Sequence, residues 1–100
     1  MSVLMTLRVP ADGAKLTDYA QSHADELQGI IEKAKNRGVI SHRFYASGDE
    51  VLVVDEWPDD ASFQAFFAEA PEIENLMAAA EASSEPVVTF WRKLDTGDEV

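Results

Sequence analysis

One hundred residues, 46% of them hydrophobic, suffice for one domain over residues 1–100 that buries roughly 60 to 70% of its unfolded surface without staples. The absence of cysteine excludes disulfides, zinc–thiolate sites and thiol nucleophiles, and fits a reducing, cytoplasmic compartment. Nineteen acids against eight bases give a net charge of −11, which repels polyanions, so no nucleic acid partner is expected.

The opening stretch "MSVLMTLRVPADG" lacks a basic leader, and its apolar run is too short for a membrane span, so no membrane association is expected. Residues 3–9, "VLMTLRV", read as a strand stopped by Pro10 and the turn dipeptide Asp12-Gly13. From Leu16 the apolar positions run through Tyr19, Ala20, His23, Ala24, Leu27, Ile30, Ile31 and Ala34, a three-four spacing that predicts one long helix. Three of the basic residues Lys33, Lys35, Arg37 and Arg43 fall in its last turn, where they complement the negative end of the helix dipole. Gly38 then supplies the positive φ that ends it.

Residues 39–46, "VISHRFYA", and 51–57, "VLVVDEW", predict two strands joined at "SGDE". Pro58 ends the second, and Asp59 or Asp60 offers a carboxylate to the free amides of the next helix. That helix carries Phe63, Phe66, Phe67, Ala70, Ile73, Leu76, Met77 and Ala80 on one face, with a break or kink at Pro71. "PVVTFWRKL", 86–94, is a last strand.

The order β-α-β-β-α-β predicts an α+β, ferredoxin-like subunit, with two helices on one face of a four-stranded antiparallel sheet. "VLVV" at 51–54 and "VLM" at 3–5 are apolar on both strand faces, so the side away from the helices needs a cover. A second copy related by a two-fold axis is the economical one, which predicts a homodimer.

Both histidines lie on apolar faces. His23 sits in the first helix's stripe between Tyr19 and Leu27 and is expected to point at the sheet; His42 shares strand parity with Ile40 and Phe44. A desolvated imidazole in either place is a candidate general base toward a phenol or enol, and the alternative for each is a neutral core or rim histidine. His23 with Glu26, and Asp55 with Glu56, make half of a histidine–carboxylate metal motif, too little to predict a metal site. Tyr19, His42, Trp57, Phe66 and Trp91 are candidates to wall a cavity for a flat ligand, although aromatic residues equally fill a core. Arg8, Arg92, Asp55 and Glu56 are expected to meet on the sheet as a polar network.

The element order, the strand end "DEW" at 55–57 followed by "DDASFQAFF", the proline-interrupted "EAPEIENLM" and the closing "VVTFWRKL" resemble the antibiotic-biosynthesis monooxygenase-like family of dimeric α+β barrels. That resemblance spans residues 2–94 and implies two sheets face to face across a dimer, with a small apolar cavity between sheet and helices in each subunit. The family includes cofactor-independent oxygenases of polycyclic phenols and haem-degrading oxygenases. The Asn, Trp and His of the haem-degrading branch fall on Thr6, Phe66 and Leu76, so no haem or other cofactor is expected and no catalytic set carries over. Two functions remain: a module binding a small apolar or aromatic molecule, with His23, Trp57 and Trp91 near the rim of its cavity, or a cofactor-free monooxygenase of phenolic substrates using His23 as base.

Overall fold

The computed structural model describes residues 1–100. Strand β1, Val3–Pro10, alternates as its sequence dictates, with Val3, Met5, Leu7 and Val9 buried and Leu4, Thr6 and Arg8 turned the other way. Asp12 then caps α1, Gly13–Ser22, by accepting the Lys15 amide at 3.1 Å. A Cβ on Gly13 would lie 2.8 Å from Ala46 Cβ, so only glycine lets α1 start this close to the sheet.

The long first helix of the sequence reading is two helices. His23, with φ −124° and ψ 46°, separates α1 from α2, Ala24–Asn36, and its backbone N–H closes onto the Tyr19 carbonyl. The Ser22 hydroxyl donates to Asp18 O and reaches Tyr19 O, side-chain bonds that compete with the backbone ladder in the last turn of α1, while Asp25 and Glu26 favour a fresh N-terminus. At the other end, Gly38 at φ 93° donates to Lys35 O and Val39 to Ala34 O, the paired bonds of a Schellman cap. Val39 is thereby held to the helix, which is why β2 spans Ser41–Ser47 and starts later than residue 39.

Gly48, at φ 58°, and Asp49 link β2 to β3, Glu50–Trp57, and fix a register in which Ser47 faces Glu50. After Pro58, Asp59 is the N-cap of α3, Asp60–Glu69, accepting both the amide and the hydroxyl of Ser62 at 2.8 Å. Those two bonds hold the Asp59 carboxyl below its ordinary pKa. Pro71 breaks the segment as expected, and α4 follows over Glu72–Ala79. The closing strand β4, Val87–Trp91, is shorter than the predicted 86–94.

The sheet order is β2-β3-β1-β4, all neighbours antiparallel, which is the ferredoxin-like α+β arrangement. Leu16 of α1, Ile30 and Ala34 of α2, Phe63 and Phe66 of α3 and Leu76 of α4 share one core with the inward residues of β1 and β3. The helices thus cover one face, as four helices rather than two. Lys33 clamps α2 to the others through Glu72, at 2.8 Å, and the Glu69 carbonyl, at 3.0 Å; Arg37 pairs with Glu69.

Glu81, just past α4, sits at φ 56°, a conformation that costs an L residue about 1–2 kcal/mol. Its ion pair with Lys15 is exposed and contributes little. Glu81→Gly is therefore expected to raise unfolding stability by about 1 kcal/mol, read as a higher urea midpoint at unchanged m.

Candidate functional site

The inward face of the sheet does not pack solidly against the helices. A cavity of about 70 Å³ lies between Met5, Leu7 and Val53 on the sheet and the inner faces of α2, α3 and α4. Seventeen residues line it, fifteen of them apolar, and the remaining two are His42 and Asp55. Phe44 on β2 and Phe67 on α3, both partly exposed, stand where the cavity meets solvent.

His42 and Asp55 face each other across the β2–β3 ladder, so the register itself brings them together. Asp55 is only 4% exposed; its Oδ1 lies 2.7 Å from His42 Nδ1, and its Oδ2 accepts the Trp57 indole N–H at 3.1 Å. Trp57 is fully buried, packed against Phe63 and Phe66 at ring separations of 5.7 and 5.4 Å. Phe44 meets His42 edge-on, its ring centroid 4.8 Å from the imidazole. The aromatic cluster fixes the indole, the indole fixes one carboxylate oxygen, and the other oxygen fixes the imidazole. His42 Nε2 makes no hydrogen bond within the chain, and its side chain is 27% exposed.

Of the residues singled out in the sequence, His42 and Phe66 line this cavity and Tyr19, His23, Trp57 and Trp91 do not. His23 does not point at the sheet: the helix break puts it in solvent, stacked on Tyr19 at 4.0 Å, beside a shallow groove with Ser22, Asp25 and Glu26. Tyr19 ties helices together, donating to Glu26 Oε1 at 2.8 Å while Asn75 of α4 donates to the same oxygen. Burial first, and then the Glu26 carboxylate, raise the Tyr19 phenol above its ordinary pKa. Trp57 stands behind Asp55 rather than in the cavity wall. Trp91 projects from the opposite face of the sheet, where its indole donates to Thr6 Oγ1 at 2.8 Å.

The expected network of Arg8, Arg92, Asp55 and Glu56 does not form. Arg8 pairs with Glu50 and Arg92 with Asp60, while Asp55 and Glu56, adjacent on one strand, point to opposite faces. Nor do three His, Asp or Glu side chains converge where they would hold a metal ion.

The sheet's outer face carries Leu4, Leu52, Val54, Tyr45, Val87 and Trp91 around Arg8, Arg43 and Glu56. Tyr45 and Trp91 are each 52% exposed and Val87 is 61% exposed. Arg43 has no ion-pair partner within the chain, whereas Lys33, Lys35 and Arg37 all do. No helix of the chain is long and apolar enough to cross a membrane.

No protein-family model matches the sequence, and no curated relative matches it. Solved structures do. A monooxygenase from the ActVA-Orf6 gene of Streptomyces coelicolor, in complex with nanaomycin D, superposes with a TM-score of 0.64 at 19% identity, covering 95% of this chain and 89% of that one. SnoaB, a cofactor-independent oxygenase from Streptomyces nogalater, gives 0.60 at 16% identity over 98% of both chains. A dimeric ferredoxin-like protein from an uncultured marine organism gives 0.65 at 11% identity, over 94% of this chain and 89% of that one. The chain therefore has the ferredoxin-like fold found in the antibiotic-biosynthesis monooxygenase-like proteins it resembles.

Proposed function

We propose that this protein is a cytoplasmic homodimer that holds a small planar, largely apolar molecule in the cavity beneath α2, α3 and α4 of each subunit. The observation that carries this reading is the lining itself, apolar on every side but the one where His42 and Asp55 stand. At about 70 Å³ the space is half the roughly 150 Å³ that accommodates benzene, so a ring enters by displacing Phe67 and the flexible Met77 at the open side.

Nitrobenzene serves as a probe, its binding followed by calorimetry. A negative heat-capacity change is expected, as is loss of binding in Ala34→Leu, which fills the cavity from α2 with a residue of the same helical preference. Absence of any heat with the unmodified protein overturns the reading.

The fold shared with SnoaB and the histidine on the cavity wall favour a second reading, cofactor-independent oxygenation of a phenolic substrate. Its base would be the cavity's own His42 and not the solvent-facing His23, so His23→Ala is expected to leave any oxygen uptake with a dihydroxy-arene unchanged.

A further inference from the structure

Resting on the cavity reading, we propose that a second, outer subsite beside α4 holds an ammonium group, so that the molecule taken up is an arylalkylamine, its ring under the helices and its cationic arm outside them.

The subsite is a groove of about 650 Å³ between α4 and residues 82–86, the segment that leads into β4. Phe67, Ile73 and Met77 line both this groove and the cavity, so they form the partition between the two. A ring that enters by displacing Phe67 and Met77 leaves whatever substituent it carries in the groove. The floor there is apolar, with Ala78, Ala82 and Pro86 added to the shared residues, and it suits a methylene arm whose charged end stays wet.

The groove's polar side chains are Glu74, Ser83, Ser84 and Glu85, and no Lys, Arg or His lines it. Glu74 lies one turn before Met77 on α4, which sets their Cβ atoms about 5–6 Å apart and puts a carboxylate within reach of an arm emerging at the partition. Glu85 comes from the 82–86 side. Neither forms an ion pair within the chain, whereas Glu69 and Glu72, where α3 meets α4, are taken by Arg37 and Lys33. An ammonium entering the groove therefore breaks no existing pair and relieves the repulsion between two like charges. A carboxylate arm meets that repulsion, and a hydroxyl arm gains only a hydrogen bond. The net charge of −11 draws a cation toward the protein from any side; in this groove it finds an apolar floor and two uncommitted acids together.

Phenylpropylamine, phenylpropanol and phenylpropionate, one ring and arm with three end groups, test this by calorimetry at neutral pH. The amine is expected to bind about three- to tenfold more tightly than the alcohol, the increment of two solvent-screened ion pairs, and the acid more weakly than either. Raised salt should narrow these differences. Glu74→Gln with Glu85→Gln, which keeps side-chain size and helical preference, should bring amine and alcohol level. Asp18→Asn with Asp95→Asn removes the same charge from two other unpaired acids, both outside the groove, and should keep the preference; its loss there too reduces the effect to net charge and overturns the subsite. Amine and alcohol of equal affinity in the unmodified protein, or a preference that survives in the Gln pair, also overturns the inference, as does binding of nitrobenzene with none of the three. In each of those cases the cavity reading stands. Failure of nitrobenzene as well overturns both.

Discussion

Trp57→Ala is expected to destabilise the protein by about 3 to 5 kcal/mol from lost packing alone, since the indole is fully buried among Phe63 and Phe66. It also strips Asp55 Oδ2 of its donor, and an unsatisfied acceptor in a residue so enclosed adds about 1 to 3 kcal/mol. A small domain has about 5 to 15 kcal/mol in all, so the variant should lose a large share of its stability, read as a much lower urea midpoint. Trp57→Phe separates the two contributions, keeping a ring against Phe63 and Phe66 while removing the N–H. It should cost about 1 to 3 kcal/mol in urea unfolding and broaden the His42 side-chain resonances, because the carboxylate that orients the imidazole has lost its second anchor. A Trp57→Phe variant as stable as the parent would mean that the indole acts only as core filling and that Asp55 needs no such support.

The residues that build this constellation were visible in the sequence one at a time. Strand parity put His42 on the side of Phe44, and it lines the cavity with it. The partner, Asp55, was also within reach: counting five residues back along each strand from the Ser47–Glu50 pair at the "SGDE" turn arrives at His42 and Asp55. Reading Asp55 as a strand-end acid in company with Glu56 missed this, because neighbouring strand residues face opposite sides of the sheet. His23 illustrates the opposite limit. The three-four spacing continues without interruption from Leu16 to Ala34, so periodicity alone cannot show a helix that stops and restarts in phase. Only the local chemistry at Ser22, whose hydroxyl competes with the backbone ladder, and the acids at Asp25 and Glu26 mark the break. Trp91 was ambiguous for a third reason. "VVTFW" is apolar at nearly every position, so its face is decided by pairing with β1, which sends Phe90 inward opposite Met5 and Trp91 outward opposite Leu4. Sorting the aromatic candidates needs register, which is a long-range property: Phe66 lines the cavity, Trp57 stands behind it, and Trp91 lies on the outer face.

The outer face of the sheet gives the second large expected effect. Leu52 and Val54 lie on β3, inside the sheet, and their side chains project among Leu4, Thr6, Tyr45 and Arg43 on the flanking strands, with no helix above them. If a second copy covers this face about a two-fold axis, each substitution enters the interface twice, so Leu52→Glu with Val54→Glu removes four apolar side chains from the dimer. At about 1.5 kcal/mol for each, the dissociation constant should rise by roughly four orders of magnitude, and the four introduced carboxylates would repel one another as well. Sedimentation at micromolar concentration should then report a dimer for the parent and a monomer of half the mass for the variant, with the cavity side of the sheet unaltered. The orientation can be tested separately. Arg43, unpaired in its own chain, lies diagonally across the ladder from Glu56, an arrangement that lets each meet the other's counterpart on a two-fold-related copy. Arg43→Glu alone should weaken the dimer, and adding Glu56→Arg should restore it, because exchanging the charges preserves the cross-interface pairing. Recovery would place the axis over β2 and β3, whereas a parent protein that sediments as a monomer would remove the proposed interface altogether.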